Sequence, residues 1–404
     1  MEKYRGKYLF KYCNFLLDKD VKDELDKFGS LINNSLVNLS SRDKNILMQK
    51  KEEDIKKKDY IFNSVIPKGE LRASNCKGFR DILEYNNKSE HTYIYDSPYN
   101  SGVYDLKLCK DCSFYNNSLG KCSVLNIEYF EKMYGKTCGI NGEYSDKCDM
   151  MVSNYLEYRT IAISFSRVLD NFSLLDWCSN GKGLVLQYKV KDNSKLYDIE
   201  YIRGFAKNKY PNYMLNPNEL FAHSEEVIKT MQMKFCEKNV DFSNEREVRF
   251  ISEIDLSKID KSFTYQIVTE KEIGVELDSL IFYKNYTYLS AMGMNQQEKI
   301  EYENKIVEKF KIFDKPIIFI QELEGWQFIH IYADEQNKMS ITLYFYKNEK
   351  EIPKYHKDEL CMFENERLVG IECKSKSVCF YFFNEGSKEE RTQEIVWKNN
   401  LVKL

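Results

Sequence analysis

The chain has 404 residues and a mass of 48.1 kDa, long enough for two or three domains with cores of their own. Its 60 basic and 63 acidic residues leave a net charge of −3, so no global excess draws it onto nucleic acid or an anionic membrane. Twelve cysteines, 17 glycines and six prolines exclude a disulfide-stapled mini-protein and a collagenous chain.

No apolar run reaches the roughly 20 residues of a membrane span, so no membrane partner is expected. Residues 1–17 mix Lys, Arg, Tyr and Cys among apolar residues and offer no clean apolar core or cleavage site. They predict no secretory signal, and hence a cytoplasmic protein whose cysteines stay reduced or bind metal. Residues 7–12 read as a short strand. Leu17, Val21, Leu25, Phe28, Ile32 and Leu36 then recur at helical spacing, and residues 49–59, nearly all Lys, Glu and Asp, read as a solvated helical face. Residues 106–148 are dense in cysteine and turn residues and read as an insertion.

From residue 160 the pattern turns to strands, at 160–166, 184–190, 245–251 and 279–283, with a helix over 217–239 and a helical connector over 294–304. Beyond 316 the chain is almost all short alternating segments. This gives a first domain over 1–300 and a second, mostly β, over 301–404.

Two segments carry candidate chemistry. In Asn244-Glu-Arg-Glu-Val-Arg-Phe-Ile251, a strand places Glu245, Glu247 and Arg249 on one face, with the carboxylates about 7 Å apart. That pattern suits a site that stabilises a cation, or equally a solvated edge whose charges pair with one another. In Ser164-Phe-Ser166 two hydroxyls share a face with the small Ala162, leaving room for a flat ligand or forming a half-exposed strand of small residues.

The order of these motifs, a basic-aromatic first strand, then Ser-x-Ser, then Glu-x-Glu, resembles the ADP-ribosyltransferase superfamily. The same stretch resembles an uncharacterised bacterial domain-of-unknown-function family through Phe10-Lys11-Tyr12, Ser164-Phe165-Ser166, Trp177, Gly181-Lys-Gly183 and Glu245-Arg-Glu247-Val-Arg249, with Leu71-Arg-Ala-Ser74 and Phe79-Arg-Asp81 as a degenerate second block. The resemblance spans about residues 8–283. It implies an α+β fold with an ADP-ribosyltransferase-like split β-sheet core, helices and a Cys-rich insertion. It also implies an enzyme that uses NAD as substrate, as a transferase or a glycohydrolase, in the manner of a toxin or phage-defence effector. Glu247 matches the catalytic glutamate and Glu245 the residue that positions or deprotonates an acceptor. Ser164 and Ser166 brace the nicotinamide ribose, Lys11 and Tyr12 meet the ribose or phosphate and the nicotinamide, and Trp177 stacks near the ligand or fills the core. Lys11 departs from the usual Arg or His, a role Arg5 or Arg72 could take. The acceptor, protein or nucleic acid, stays open, as does a homo-oligomer.

The insertion carries Cys109, Cys112, Cys122, Cys138 and Cys148. A Cys-x2-Cys pair sets two thiolates on one knuckle able to grip a tetrahedral ion, and a segment poor in apolar residues gains from such a staple. Zinc or an iron-sulfur cluster is expected, with free thiols as the alternative. The other cysteines sit in apolar contexts and read as core. A non-catalytic recognition protein with a structural zinc knuckle is the second function the sequence supports; nucleic-acid binding through the insertion is weaker, because acidic residues interrupt its lysines.

Overall fold

The structure, a computed structural model, describes mainly residues 3–14, 60–74, 160–169, 183–202, 236–255, 265–285, 296–323, 326–333, 338–354 and 359–397, with short pieces elsewhere. The strands in the first half are β1 (Tyr8–Asn14), β2 (Glu70–Ser74), β3 (Tyr115–Asn116), β4 (Lys121–Cys122), β5 (Thr160–Ser166), β6 (Gly183–Val190), β7 (Leu196–Asp198) and β8 (Glu200–Ile202). There follow β9 (Glu237–Asn239), β10 (Glu247–Glu253), β11 (Tyr265–Thr269) and β12 (Val275–Asn285), then the helix α1 (Gln296–Phe310). The last strands are β13 (Ile317–Leu323), β14 (Trp326–Tyr332), β15 (Lys338–Tyr346), β16 (Leu360–Phe363), β17 (Glu366–Cys373), β18 (Ser377–Asn384) and β19 (Glu390–Val396).

Twelve strands form one mixed sheet in the order β11-β2-β5-β1-β6-β12-β13-β14-β15-β16, with β10 paired to β5 and β7 to β10. Alternation along each strand gives the sheet two apolar faces. One carries Leu9, Ile163, Phe165, Leu186 and Phe282 and is covered by α1 through Ile306 and Phe310. The Phe282 and Phe310 rings meet edge-on at 5.1 Å, and each buried aromatic here is worth about 1.5–3 kcal/mol. The other face carries Phe10, Val185, Ile281 and Ile318 and is covered by the three-stranded sheet β17-β18-β19, through Leu368, Ile371, Phe380 and Phe382. Gln187 fastens the two sheets: its side-chain amide donates to the Ile371 carbonyl at 2.6 Å and its Oε1 accepts from the Ile371 amide at 2.9 Å.

The α+β expectation is therefore corrected. Among the described residues strand outweighs helix, 53% against 27%, and most strands belong to one large mixed sheet with few helices. The reason lies in pairing at long range. β12 and β13 run parallel, joined through α1, so the alternating segments beyond residue 316 continue the same sheet across residue 300. The helix expected over 217–239 is also revised at its end, where Glu237–Asn239 forms β9, parallel to β8. Most of the helix over 17–36, of the charged stretch 49–59 and of the insertion lies outside the described residues, those described at 25–26, 29–30, 49 and 52 being helical, and no His, Cys, Asp and Glu group able to hold a metal occurs among the described residues. No helix among them is long and apolar enough to cross a membrane. Cys236, Cys361 and Cys379 are buried thiols and Cys13 and Cys373 half-buried ones.

A tight corner shows how local chemistry sets β12. Thr269 and Glu272 form a reciprocal capping box around the short helix Glu270–Ile273, which Gly274 ends at φ 84°. A Cβ at Gly274 would lie 2.4 Å from the Ser194 Cα, so neither conformation nor space admits a side chain. Gly274→Ala is expected to cost at least about 1–2 kcal/mol, measured as a lower midpoint of thermal or denaturant unfolding; an unchanged midpoint would mean the corner is not built this way.

Candidate functional site

The three sequence motifs, separated by about 150 and 80 residues of chain, lie on neighbouring strands. β5 sits between β10 and β1, with Glu247 registered against Ser166 and Arg249 against Ser164, while Phe10 pairs with Ser166. Residues opposite each other in an antiparallel pair share a face, so Phe10, Tyr12, Ser164, Ser166, Glu247 and Arg249 lie on one side of the sheet. β5 is a branch point. Ala162 pairs with Ser74 of β2 near its start, and Ser166 with β1 at its end; between them Ser164 is registered with neither neighbour. Ser164 is also the one residue of β5 that is not buried.

Glu247 is 3% exposed, yet its acid is held ionised. Arg249 grips it through both sides of the fork, Nε to Oε1 at 2.6 Å and Nη2 to Oε2 at 3.0 Å. The Lys238 ammonium adds a bond to Oε2 at 3.1 Å, and the Ser164 hydroxyl donates as well. Burial alone would push this carboxyl up. The Arg249 charge and hydrogen bonds, then Lys238 and Ser164, bring it down to about 2 instead. The backbone amide of Glu247 donates to the Tyr201 hydroxyl at 2.7 Å, and burial raises that phenol to about 12.

Glu245 differs from expectation. It ends a 3-10 turn, Val240–Glu245, instead of sharing the strand with Glu247, and Arg246 between them has φ 47°. The two acids converge by another route: Lys238 also bonds Glu245 Oε2 at 2.7 Å, so one ammonium bridges both carboxylates. The Glu245 side chain is 23% exposed, the more open acid of the two.

Lys11 lies apart from Glu247. It alternates with Phe10 and Tyr12 and so leaves β1 on the side opposite Glu247, with its ammonium 5.8 Å from the Phe165 ring. From there it bonds the Ser164 carbonyl at 2.8 Å, bracing β5 on the edge between its contacts with β2 and β1, opposite β10. Tyr12 donates to the Val168 and Leu169 carbonyls, and Ser166 to the Glu245 carbonyl at 2.9 Å. Arg72 is stacked between the Tyr60 and Tyr265 rings, with its Nε unbonded among the described residues, and has no contact with Glu247. Trp177 and the cysteines of the insertion, apart from Cys122 in β4, lie outside the described residues.

No protein-family model, no curated protein and no solved structure matches the chain. Its site therefore stands on its own geometry.

That geometry is a charge-balanced cluster, two carboxylates and two cations, set where a hydroxyl strand is least covered. Lys238 is the member the sequence did not disclose, because it falls within the span read as a helix. The arrangement holds a buried carboxylate in its ionised form without titrating it near neutrality. It also fills the carboxylate of Glu247, whose roughly four lone-pair directions meet two Arg249 donors, Lys238 and Ser164.

Proposed function

We propose that the protein cleaves the bond between nicotinamide and ribose in NAD, as an ADP-ribosyltransferase or a glycohydrolase, with Glu247 stabilising the positive charge that develops on the ribose. The observation that carries this reading is the adjacency of β1, β5 and β10, which brings the Glu-x-Glu segment against the Ser-x-Ser strand and bonds Glu247 to Ser164. A glycosidic bond broken through an oxocarbenium-like state needs a fixed negative charge in a dry setting, and an acid depressed to about 2 stays ionised at every working pH. For a ribose hydroxyl to reach Glu247, Ser164 or Lys238 must give up a bond to it. Lys238 has Glu245 to turn to. Glu245, the more open acid, then faces the attacking group. The test is release of nicotinamide from NAD by the purified chain, followed by chromatography with and without candidate protein and nucleic-acid acceptors.

A second reading, a non-catalytic recognition protein, is favoured by the saturation of Glu247: its carboxylate is nearly inaccessible and every lone-pair direction is taken. On this reading the cluster only ties β10 to β5 and β9.

The insertion is proposed to hold a structural zinc ion under either reading. Its short hairpin pairs Cys122 with Tyr115, only three residues past Cys112 of the Cys109-x2-Cys112 knuckle. Elemental analysis of protein purified without chelator is expected to give about one zinc per chain, lost in the Cys109→Ser, Cys112→Ser double variant. Iron with labile sulfide would replace zinc by a cluster, and metal-free protein would refute the centre.

A further inference from the structure

The residue between the two candidate acids holds an uncommon backbone. Arg246 is one of three non-glycine residues with positive φ among those described, a conformation that persists only where its surroundings impose it. Three contacts impose it here. Its amide donates to the Ser243 carbonyl, its carbonyl accepts from the Arg167 amide at 2.9 Å, and its guanidinium bonds Glu385 at 2.7 Å. Glu385 lies in the turn between β18 and β19 at the end of the three-stranded sheet, where its own amide donates to the carbonyl of Asn365, just before β17. The same sheet takes a second hold beside the site, through the bond from the Leu169 amide to the Leu368 carbonyl just past β5.

We infer that the Arg246–Glu385 ion pair is a positioning device, by which the three-stranded sheet sets the corner between Glu245 and Glu247 and so the placing of the Glu247 carboxylate. The inference rests on the NAD reading for its effect on turnover, but its structural content stands apart from it. Neither residue touches the carboxylate of Glu247. They act through the backbone, because a relaxed φ at Arg246 swings the peptide that feeds β10 and changes the angle at which Glu247 meets Ser164 and Lys238. Arg367, 3.8 Å from Glu385, keeps that carboxylate in place from the β17 side.

The experiment pairs Glu385→Gln with Glu385→Asp. Glu385→Gln is expected to lower kcat for nicotinamide release about tenfold with KM within about twofold, while Glu385→Asp, which keeps the charge, recovers most of it. Turnover in the parent with unchanged kcat in Glu385→Gln overturns the inference and leaves the NAD reading intact. Absence of turnover in the parent removes the NAD reading instead, and hydrogen exchange then decides the inference. The Glu247 amide is expected to exchange about tenfold faster in Glu385→Gln than in the parent under conditions where both are folded, with Glu385→Asp close to the parent; equal exchange in all three overturns it.

Discussion

Arg249→Met is expected to destabilise the fold by about 3 kcal/mol. Arg249 is among the largest fully buried side chains and supplies two of the donors that compensate Glu247. Removing one partner of a buried pair leaves the other charge in a medium that solvates it poorly, at a cost of roughly 3–5 kcal/mol. Lys238 remains beside Glu247, which places the expectation at the lower end. Denaturant unfolding measures it, and a variant as stable as the parent would mean that the pair is not compensating a buried charge. The pH dependence follows from the sign. The Glu247 carboxyl lies at about 2 in the fold against an ordinary 4.5, so between those values the unfolded chain binds the extra proton. Its contribution is present above about pH 4.5 and is lost as pH falls toward 2. Glu372, held down to about 2 against burial by Tyr381, Lys7 and Lys189, adds to the same window. Arg249→Met flattens the acid limb of the stability curve by the Glu247 share and leaves that of Glu372.

The second large effect concerns rate. If Glu247 faces the developing ribose cation, Glu247→Gln removes a preorganised charge worth roughly 3–4 kcal/mol of barrier, which is a loss of about a hundredfold or more in nicotinamide release. Glu245→Gln is expected to cost less, about tenfold, because Glu245 is further exposed and its role is to orient the attacking group. The ranking of the two variants is itself a test. A larger loss at Glu245 would move the charge-stabilising role to the more open acid.

The strands that carry the site were legible from alternation. β1, β5 and β10 alternate in residue type while their burial is nearly continuous, because both faces are covered: Leu9, Phe165 and Val248 enter one core and Phe10 the other. Their adjacency was legible only through the order of the motifs, since nothing local to any strand names its partner. Three features were hidden for definable reasons. Lys238 sits in a three-residue strand, too short for any period to register. The break between Glu245 and Glu247 comes from positive φ at an arginine, a residue whose sequence gives no warning of it. Gln187 lies between the apolar residues of an alternating strand, with nothing local to show what covers it. It is fully buried because β17 docks over it and takes both ends of its amide. The continuous sheet was hidden by the same kind of long-range contact, the parallel pairing of Leu280–Asn285 with Ile317–Glu322.

The measurement that bears most directly on the account is nicotinamide release from NAD by the parent chain and by Glu247→Gln, each normalised to its folded fraction. The proposal predicts turnover by the parent and a loss of at least about a hundredfold in the variant beyond its loss of folded protein. Equal release by both, or none from the parent with every acceptor offered while Glu247→Gln loses stability alone, would contradict it and leave Glu247 as a buried tie between strands.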